Sequence, residues 1–348
     1  MAVTIDIDEF IRLSSLHPVI DVRTPAEFEQ GHFPGAKNVE LFTNVERAIV
    51  GTVYKKEGRQ PAILKALQFS SPRFKDLIKR VKKHNVNDTF LVHCWRGGMR
   101  SGAVAWLLEL YGYKVYLLKG GYKTFRRKVL NELDEKRNII VLGGKTGSGK
   151  TFVLHELKKR GEQVIDLEKL AHHKGSSFGS IGESPQPTQE EFENNLFFEL
   201  LNTDKEKPLW LEDESRMIGN KAVPEKLWNQ VREAEIVFLD IPFEVRLKNI
   251  CSTYGTYPVN QLMEATERIK KRLGDEQCRV AIEHLQKGEL EKGIEPSLKY
   301  YDKTYLYNLS KREKKKIITI PLEEIDPGKT ADILVSRLFR NDVVKKTL

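Results

Sequence analysis

Cysteine is scarce in this chain. Its 348 residues include three, Cys94, Cys251 and Cys278, too few and too scattered for a disulfide framework or a cysteine-built zinc site. A reducing compartment is therefore expected. No apolar run approaches the ~18 residues that a membrane-spanning helix requires, and the opening MAVTIDIDEF carries acidic residues where a secretory leader would be basic and then apolar. Both absences point to a cytoplasmic protein with no membrane partner. Repeats and low-complexity tracts are missing too, which excludes solenoid and fibrous architectures. Acidic charge is in deficit: 49 Asp and Glu against 58 Lys and Arg leave a net charge of +9, a surface that attracts polyanions. With 40% apolar and 31% charged residues, a chain of this length suffices for two globular domains, each with its own core.

The first stretch with chemistry in it is HCWRGGMRS, His93 through Ser101. An apolar run at 89–92 reads as a buried strand, and Ala103, Val104, Leu107 and Leu108 recur beyond it at helical spacing. Cys94 thus stands at a strand-to-helix turn, where backbone N–H groups and the positive end of a helix favour an anion, including the thiolate itself. Arg96 and Arg100 add to that field, and Gly97 and Gly98 complete the loop. Such surroundings lower a thiol from ~8.5 toward neutrality.

Upstream, a strand ends on Asp21, Val22 and Arg23, and Thr24, Pro25 and Glu27 form a capping-box helix start. The polar insertion at 43–71 carries no interpretable motif, and 72–84 reads as a basic amphipathic helix. IDVRTPAEFEQGHFPGAKNV, the cysteine loop and LKGGY, in that order, resemble the rhodanese domain, a small α/β sulfurtransferase module, over residues 1–127. The resemblance implies a persulfide-type role for Cys94 and support of the loop by Asp21 and Arg23; as sequence alone, those two could equally be a surface ion pair. Five residues separate Cys94 from Arg100, and His93 precedes the cysteine. That spacing also resembles cysteine-dependent phosphatases, in which the arginine would clamp an oxyanion with both ends of its guanidinium. Sulfur transfer and phosphatase chemistry both stay open at this point.

The second domain, 128–348, follows a basic helix at 122–137 with no flexible linker. GKTGSGKT, comprising Gly144, Lys145, Thr146, Gly147, Ser148, Gly149, Lys150 and Thr151, matches the P-loop pattern between a strand at 139–142 and an amphipathic helix. Its backbone would wrap a phosphate or diphosphate, Lys150 would supply charge, and Thr151 could hold Mg²⁺; no other metal ligand set is identified. A strand at 164–166 delivers Asp166 and Glu168 to the same edge. The loop AHHKGSSFGSIGE offers His172, His173 and Lys174, read as substrate or phosphate contacts in preference to a metal site. A third strand, 209–211, runs into Glu212, Asp213, Glu214 and Arg216. Glu212 and Asp213 are favoured over Glu214 as magnesium or water-orienting carboxylates because they come directly off the strand, and Arg216 is expected to face the same anion. Basic clusters at 79–83, 123–128, 270–272 and 311–316, with Tyr300, Tyr301, Tyr305 and Tyr307, suggest nucleic acid as the large partner. Lys123, Arg126, Arg127, Lys270, Lys271 and Arg272 are the candidate RNA contacts.

Taken together, a rhodanese-like α/β domain followed by a P-loop NTPase-like parallel-sheet domain with helical additions, carrying DLEKLAHHKGSSFG, QPTQEEFE and WLEDESRMIG, resembles the tRNA 2-selenouridine synthase family. That resemblance implies a tRNA anticodon arm as substrate, its wobble 2-thiouridine converted to 2-selenouridine with selenophosphate through an S-geranyl intermediate made from geranyl diphosphate. It implies no tightly bound cofactor, and it leaves room for a partner supplying selenophosphate. The P-loop would hold the diphosphate, Cys94 would handle selenium, and Arg100 would steady the selenophosphate oxygens. The alternatives are a P-loop kinase or ATPase with an attached sulfurtransferase or phosphatase module, and a non-catalytic tRNA-binding protein.

Overall fold

The computed structural model describes residues 2–345 and divides into two compact units, Met1–Leu133 with Thr188–Phe198, and Asp134–Pro187 with Glu199–Leu348. Both are α/β. The first unit runs past residue 127 because the helix Gly121–Leu133 buries Tyr122, Phe125, Val129 and Leu133 in it. It also takes in Thr188–Phe198, a stretch that the sequence order assigns to the second domain.

The first unit holds five parallel strands, β1 (Val3–Ile5), β2 (Val19–Asp21), β3 (Lys37–Asn38), β4 (Thr89–His93) and β5 (Lys114–Leu118), in the order β1-β5-β4-β2-β3. All five residues of β4 are buried, as a central parallel strand covered on both faces requires. The core gathers Ile20, Val22, Phe90, Val92, Val104, Leu108 and Val115. Thr24 and Glu27 form the expected capping box and start the helix Pro25–Gln30. The uninterpreted insertion folds as two helices, Asn44–Glu57 and Arg59–Ser70, the former opened by a second capping box of Thr43 and Glu46.

Residues Thr188–Phe198 are tied into this unit by polar and aromatic contacts. The Thr188 hydroxyl donates to the Gln30 carbonyl (2.6 Å), the Tyr122 hydroxyl donates to Glu190 (2.7 Å), and the wholly buried Asn194 donates to the His32 carbonyl (2.8 Å). Phe198 meets Phe33 edge-on, with ring centroids 5.1 Å apart.

In the second unit, β6 (Ile139–Gly144), β7 (Gln163–Ile165), β8 (Leu209–Glu212), a small antiparallel pair β9 (Met217–Ile218) and β10 (Lys221–Ala222), then β11 (Glu235–Asp240) and β12 (Ile317–Pro321) follow in chain order. The main sheet is parallel, in the order β12-β11-β6-β8-β7. Its core includes Leu142, Leu154, Leu157, Trp210, Leu239 and Ile320. β6 lies at the centre, flanked by β8 with Leu142 opposite Glu212. That register brings the end of β8 beside the start of the P-loop, at the carboxyl edge where open α/β sheets bind ligands. Phe243–Tyr254, Val259–Arg268, Asp275–Gln286 and Leu290–Ser310 form most of the helical additions.

Candidate functional site

In the first unit Cys94 directly follows β4 and precedes the helix Met99–Leu110. Its Sγ lies 3.2 Å from the Ser101 hydroxyl, and the backbone N–H groups of Ser101 and Gly98 face the sulfur. Burial alone would push the thiol up, but these donors and the Arg100 guanidinium outweigh it, so the thiol sits below its ordinary value. The loop owes its shape to LKGGY. Gly97 (φ +62°) and Gly121 (φ +61°) approach so closely that a Cβ on Gly121 would lie 2.3 Å from the Gly97 nitrogen and 2.4 Å from the Cys94 carbonyl oxygen. The N–H groups of Tyr122 and Lys123 donate to the carbonyls of Cys94 and Trp95 at 2.8 and 2.9 Å, so one helix start anchors the loop from behind.

Asp21 and Arg23 are fully buried, not a surface pair. The Arg23 guanidinium donates to both Asp21 oxygens (2.7 to 3.1 Å) and to the Gly31 carbonyl (2.7 Å), and it stacks 3.7 Å over the Tyr122 ring. Tyr122 thereby links this ion pair to the anchor of the cysteine loop. Arg100, expected as an oxyanion clamp, donates both terminal nitrogens to Glu27 at 2.6 and 3.1 Å, while Glu27 also accepts from the Thr24 N–H. An anion at Cys94 would therefore share Arg100 with a carboxylate. Arg96 and Gly98 are exposed on the loop.

In the second unit the P-loop joins β6 to the helix Lys150–Lys159. Lys150 donates to the Gly144 carbonyl (3.1 Å) and lies 3.4 Å from Glu212. Burial opposes its charge, but Glu212, Glu214 and Glu168 raise it above the ordinary lysine value, so it remains an ammonium. The Thr151 hydroxyl faces Glu212 (3.2 Å) and Glu168 (3.4 Å). Carboxylate oxygens of Glu168, Glu212 and Glu214 come within 4.8 Å of one another. Burial pushes all three carboxyls up, with repulsion from Glu212 adding to it at Glu168 and Glu214 and repulsion from Asp166 at Glu212. An all-oxygen donor set beside a threonine hydroxyl fits a magnesium ion.

The preference for Asp213 over Glu214 is overturned. Asp213 accepts from the Tyr305 hydroxyl and from Arg312, both at 2.7 Å, while Glu214 joins the cluster. β8 ends at Glu212, and the Glu214 N–H donates back to the Glu212 carbonyl (2.9 Å), so the chain makes a three-residue turn about Asp213 before Glu214. Tyr305, one of the four tyrosines counted toward a nucleic-acid partner, accepts the Gly144 N–H at 3.0 Å and holds the start of the P-loop. Arg246 donates to the Thr146 carbonyl (2.9 Å) and to Asp302 (2.8 and 2.6 Å), bracing the same loop; nothing in the spacing of the sequence announced it. Lys145 reaches Asp240 (3.2 Å).

Other expected contacts have local partners. Asp166 caps the helix Leu167–Ala171 and lies 2.9 Å from His155. The His172 ring pairs with the Pro185 carbonyl (3.0 Å), and Lys174 donates to the Ile181 carbonyl (3.3 Å) beside Glu183 (3.0 Å). Arg216, expected to face the bound anion, lies 3.6 Å from Glu225 on an exposed surface. Arg126 is drawn inward, donating to Asn194 (2.6 Å) and Glu193 (2.5 Å). Lys123, Arg127, Lys270, Lys271 and Arg272 are exposed.

The family model described as the tRNA 2-selenouridine synthase AAA domain matches residues 137–326, and the rhodanese-like domain model matches residues 6–128. The chain is 36% identical to a tRNA 2-selenouridine synthase of Proteus mirabilis, over 90% of this chain and 95% of that one. Identity is 34% to the synthase of Psychromonas ingrahamii, over 85% of this chain and 88% of that one. It is 39% to that of Shewanella piezotolerans, over 70% and 67% respectively. With a rhodanese-type cysteine loop and a P-loop matched in one polypeptide, the chain belongs to the tRNA 2-selenouridine synthase family.

Proposed function

We propose that this chain converts wobble 2-thiouridine of tRNA to 2-selenouridine with selenophosphate, by way of an S-geranyl-2-thiouridine made from geranyl diphosphate. The observation that supports it most is the pairing, in one polypeptide, of a thiol held below its ordinary value with a P-loop whose Lys150 and Thr151 face three carboxylates. In the first step the 2-thio sulfur forms a bond to the geranyl carbon as the carbon–oxygen bond breaks. The Lys150 ammonium and the P-loop N–H groups would neutralise charge gathering on the departing diphosphate. Glu168, Glu212, Glu214 and Thr151 would hold magnesium, which supplies further positive charge to diphosphate oxygens. In the second step the selenium of selenophosphate would bond to C2 of the base as the C2–sulfur bond breaks and geranylthiol leaves, and hydrolysis of the phosphorus–selenium bond would release phosphate; Cys94 and Arg100 would stand beside the selenium without changing its oxidation state. The substrate RNA would meet the exposed basic residues, its wobble base turned out of the stack.

The test is mass analysis of the modified nucleoside after incubating the protein with 2-thiouridine tRNA, geranyl diphosphate and selenophosphate. Sequential appearance of the S-geranyl and seleno forms is expected. Brisk ADP release from ATP with unchanged tRNA would instead favour the kinase or ATPase reading. Cys94→Ala is expected to abolish selenation while geranylation proceeds at the wild-type rate, and equal loss of both steps would refute that division of labour.

A further inference from the structure

The helices Asn44–Glu57 and Arg59–Ser70 enclose, with the Cys94 loop, a cavity of about 1050 Å³ within the first unit. This volume lies at the top of the ~300–1,000 Å³ range of small-molecule sites, far more than an inorganic phosphate or selenophosphate fills. The surplus is apolar. Val50, Tyr54, Leu67 and Met99 line it, and the last three remain 55%, 49% and 57% exposed, apolar surface left in water next to a reactive sulfur. Cations also line it: Arg47, Lys55 and Arg96 are exposed, whereas Arg100 is held by Glu27, which with Glu190 makes up the acidic part of the lining. A hydrocarbon tail with no polar head would leave these cations unanswered, and a bare anion would leave the apolar walls wet. Charge and hydropathy together call for an uncharged chain attached to a polyanion.

We propose that this cavity receives the geranyl chain of S-geranyl-2-thiouridine carried on tRNA, with the thioether beside Cys94 and the RNA phosphates at the cationic residues. The inference rests on the geranyl reading above and assigns the insertion at 43–71 a role in chain recognition. Donor diphosphate belongs with the P-loop of the second unit, so the occupant of this cavity is the prenylated nucleoside rather than the donor. Each methylene buried strengthens binding about fourfold, so a five-carbon chain binds more weakly than a ten-carbon one.

The experiment measures equilibrium binding of the full chain to anticodon stem-loops bearing S-geranyl-, S-dimethylallyl- or S-methyl-2-thiouridine. The wild type should bind the geranyl form at least tenfold more tightly than the methyl form, with the dimethylallyl form between. Ala66→Phe, which narrows the cavity, and Leu67→Asn, which places an uncharged polar group on a half-exposed wall, should bring the three affinities within twofold while leaving the S-methyl affinity unchanged. Leu67→Asn lies at the surface and keeps the test valid if Ala66→Phe lowers the melting temperature. A wild type without chain preference, or variants that keep it, would overturn the inference. In parallel, wild-type protein is given geranyl diphosphate and 2-thiouridine tRNA: no S-geranyl product defeats the functional reading itself, whereas product without chain preference defeats the cavity alone.

Discussion

Cys94 competes with its own burial and wins through neighbours seven residues or fewer away: the Ser101 hydroxyl, the N–H groups of Ser101 and Gly98, and Arg100. Cys251 is pushed up to about 11 by burial and the nearby Glu291, and Cys278 is raised by burial and Glu267. The thiolate is the nucleophile that iodoacetamide alkylates, so the lowered group reacts at lower pH. Iodoacetamide labelling followed by mass should therefore modify Cys94 first, with a rate that climbs through a midpoint below that of an ordinary cysteine. Ser101→Ala should move that midpoint upward with the melting temperature little changed, and an unmoved midpoint would remove Ser101 from the account. The cysteine and its loop were readable because the residues that tune them are contiguous. The partner of Arg100 was not, since Glu27 was already accounted for as a helix cap and does both jobs at once. The choice of Asp213 over Glu214 failed for a different reason: it counted nearness to the strand end, and the three-residue turn that follows Glu212 has no signature in EDES.

Among the elements, the helix Leu290–Ser310 reaches furthest from its place in the chain, because its Tyr305 bonds both the Gly144 N–H and Asp213. Tyr305→Phe would leave the Gly144 N–H without its partner and Asp213 with one donor fewer, at a cost of roughly 1–3 kcal/mol. Pyrophosphate affinity, measured calorimetrically, is expected to fall by about tenfold, whereas a surface tyrosine that stacks RNA would leave it untouched. Strands β2, β4, β6 and β8 were legible as apolar runs, since strands inside a parallel sheet are covered on both faces, and the edge strand β7 was legible through Val164 and Ile165, which are buried too. The short edge strands β1 and β3 and the β9–β10 pair carry no such runs and were not. The pair of helices at 43–71 announced itself only through Thr43 and Glu46, a capping box that went unread because little of the helix behind it is buried. Function hides in the same place: walls that await a ligand look like ordinary surface in a sequence.

At the scale of the molecule, the excess of positive charge is tested by salt. Lys270, Lys271 and Arg272 stand exposed on the second unit, and replacing all three with Gln should lower the slope of log affinity for tRNA against log salt by about 0.7–0.9 for each phosphate no longer neutralised. An unchanged slope would place the RNA elsewhere. Arg126 is not a suitable addition to that set, because its partners Glu193 and Asn194 would be left behind in the first unit. The two-domain order was legible from the ordered motifs, but the return of Thr188–Phe198 to the first unit was not, since nothing local to QPTQEEFE says which core it will join. That return governs how the chain is born. Synthesis proceeds from the first residue, and domains ordinarily fold as they emerge. Here Phe33, Tyr122 and Phe125 must wait for Asn194, Phe197 and Phe198, which leave the ribosome only after the P-loop has been translated. A nascent chain arrested before Thr188 would expose that aromatic patch, a ready target for a chaperone at the tunnel exit.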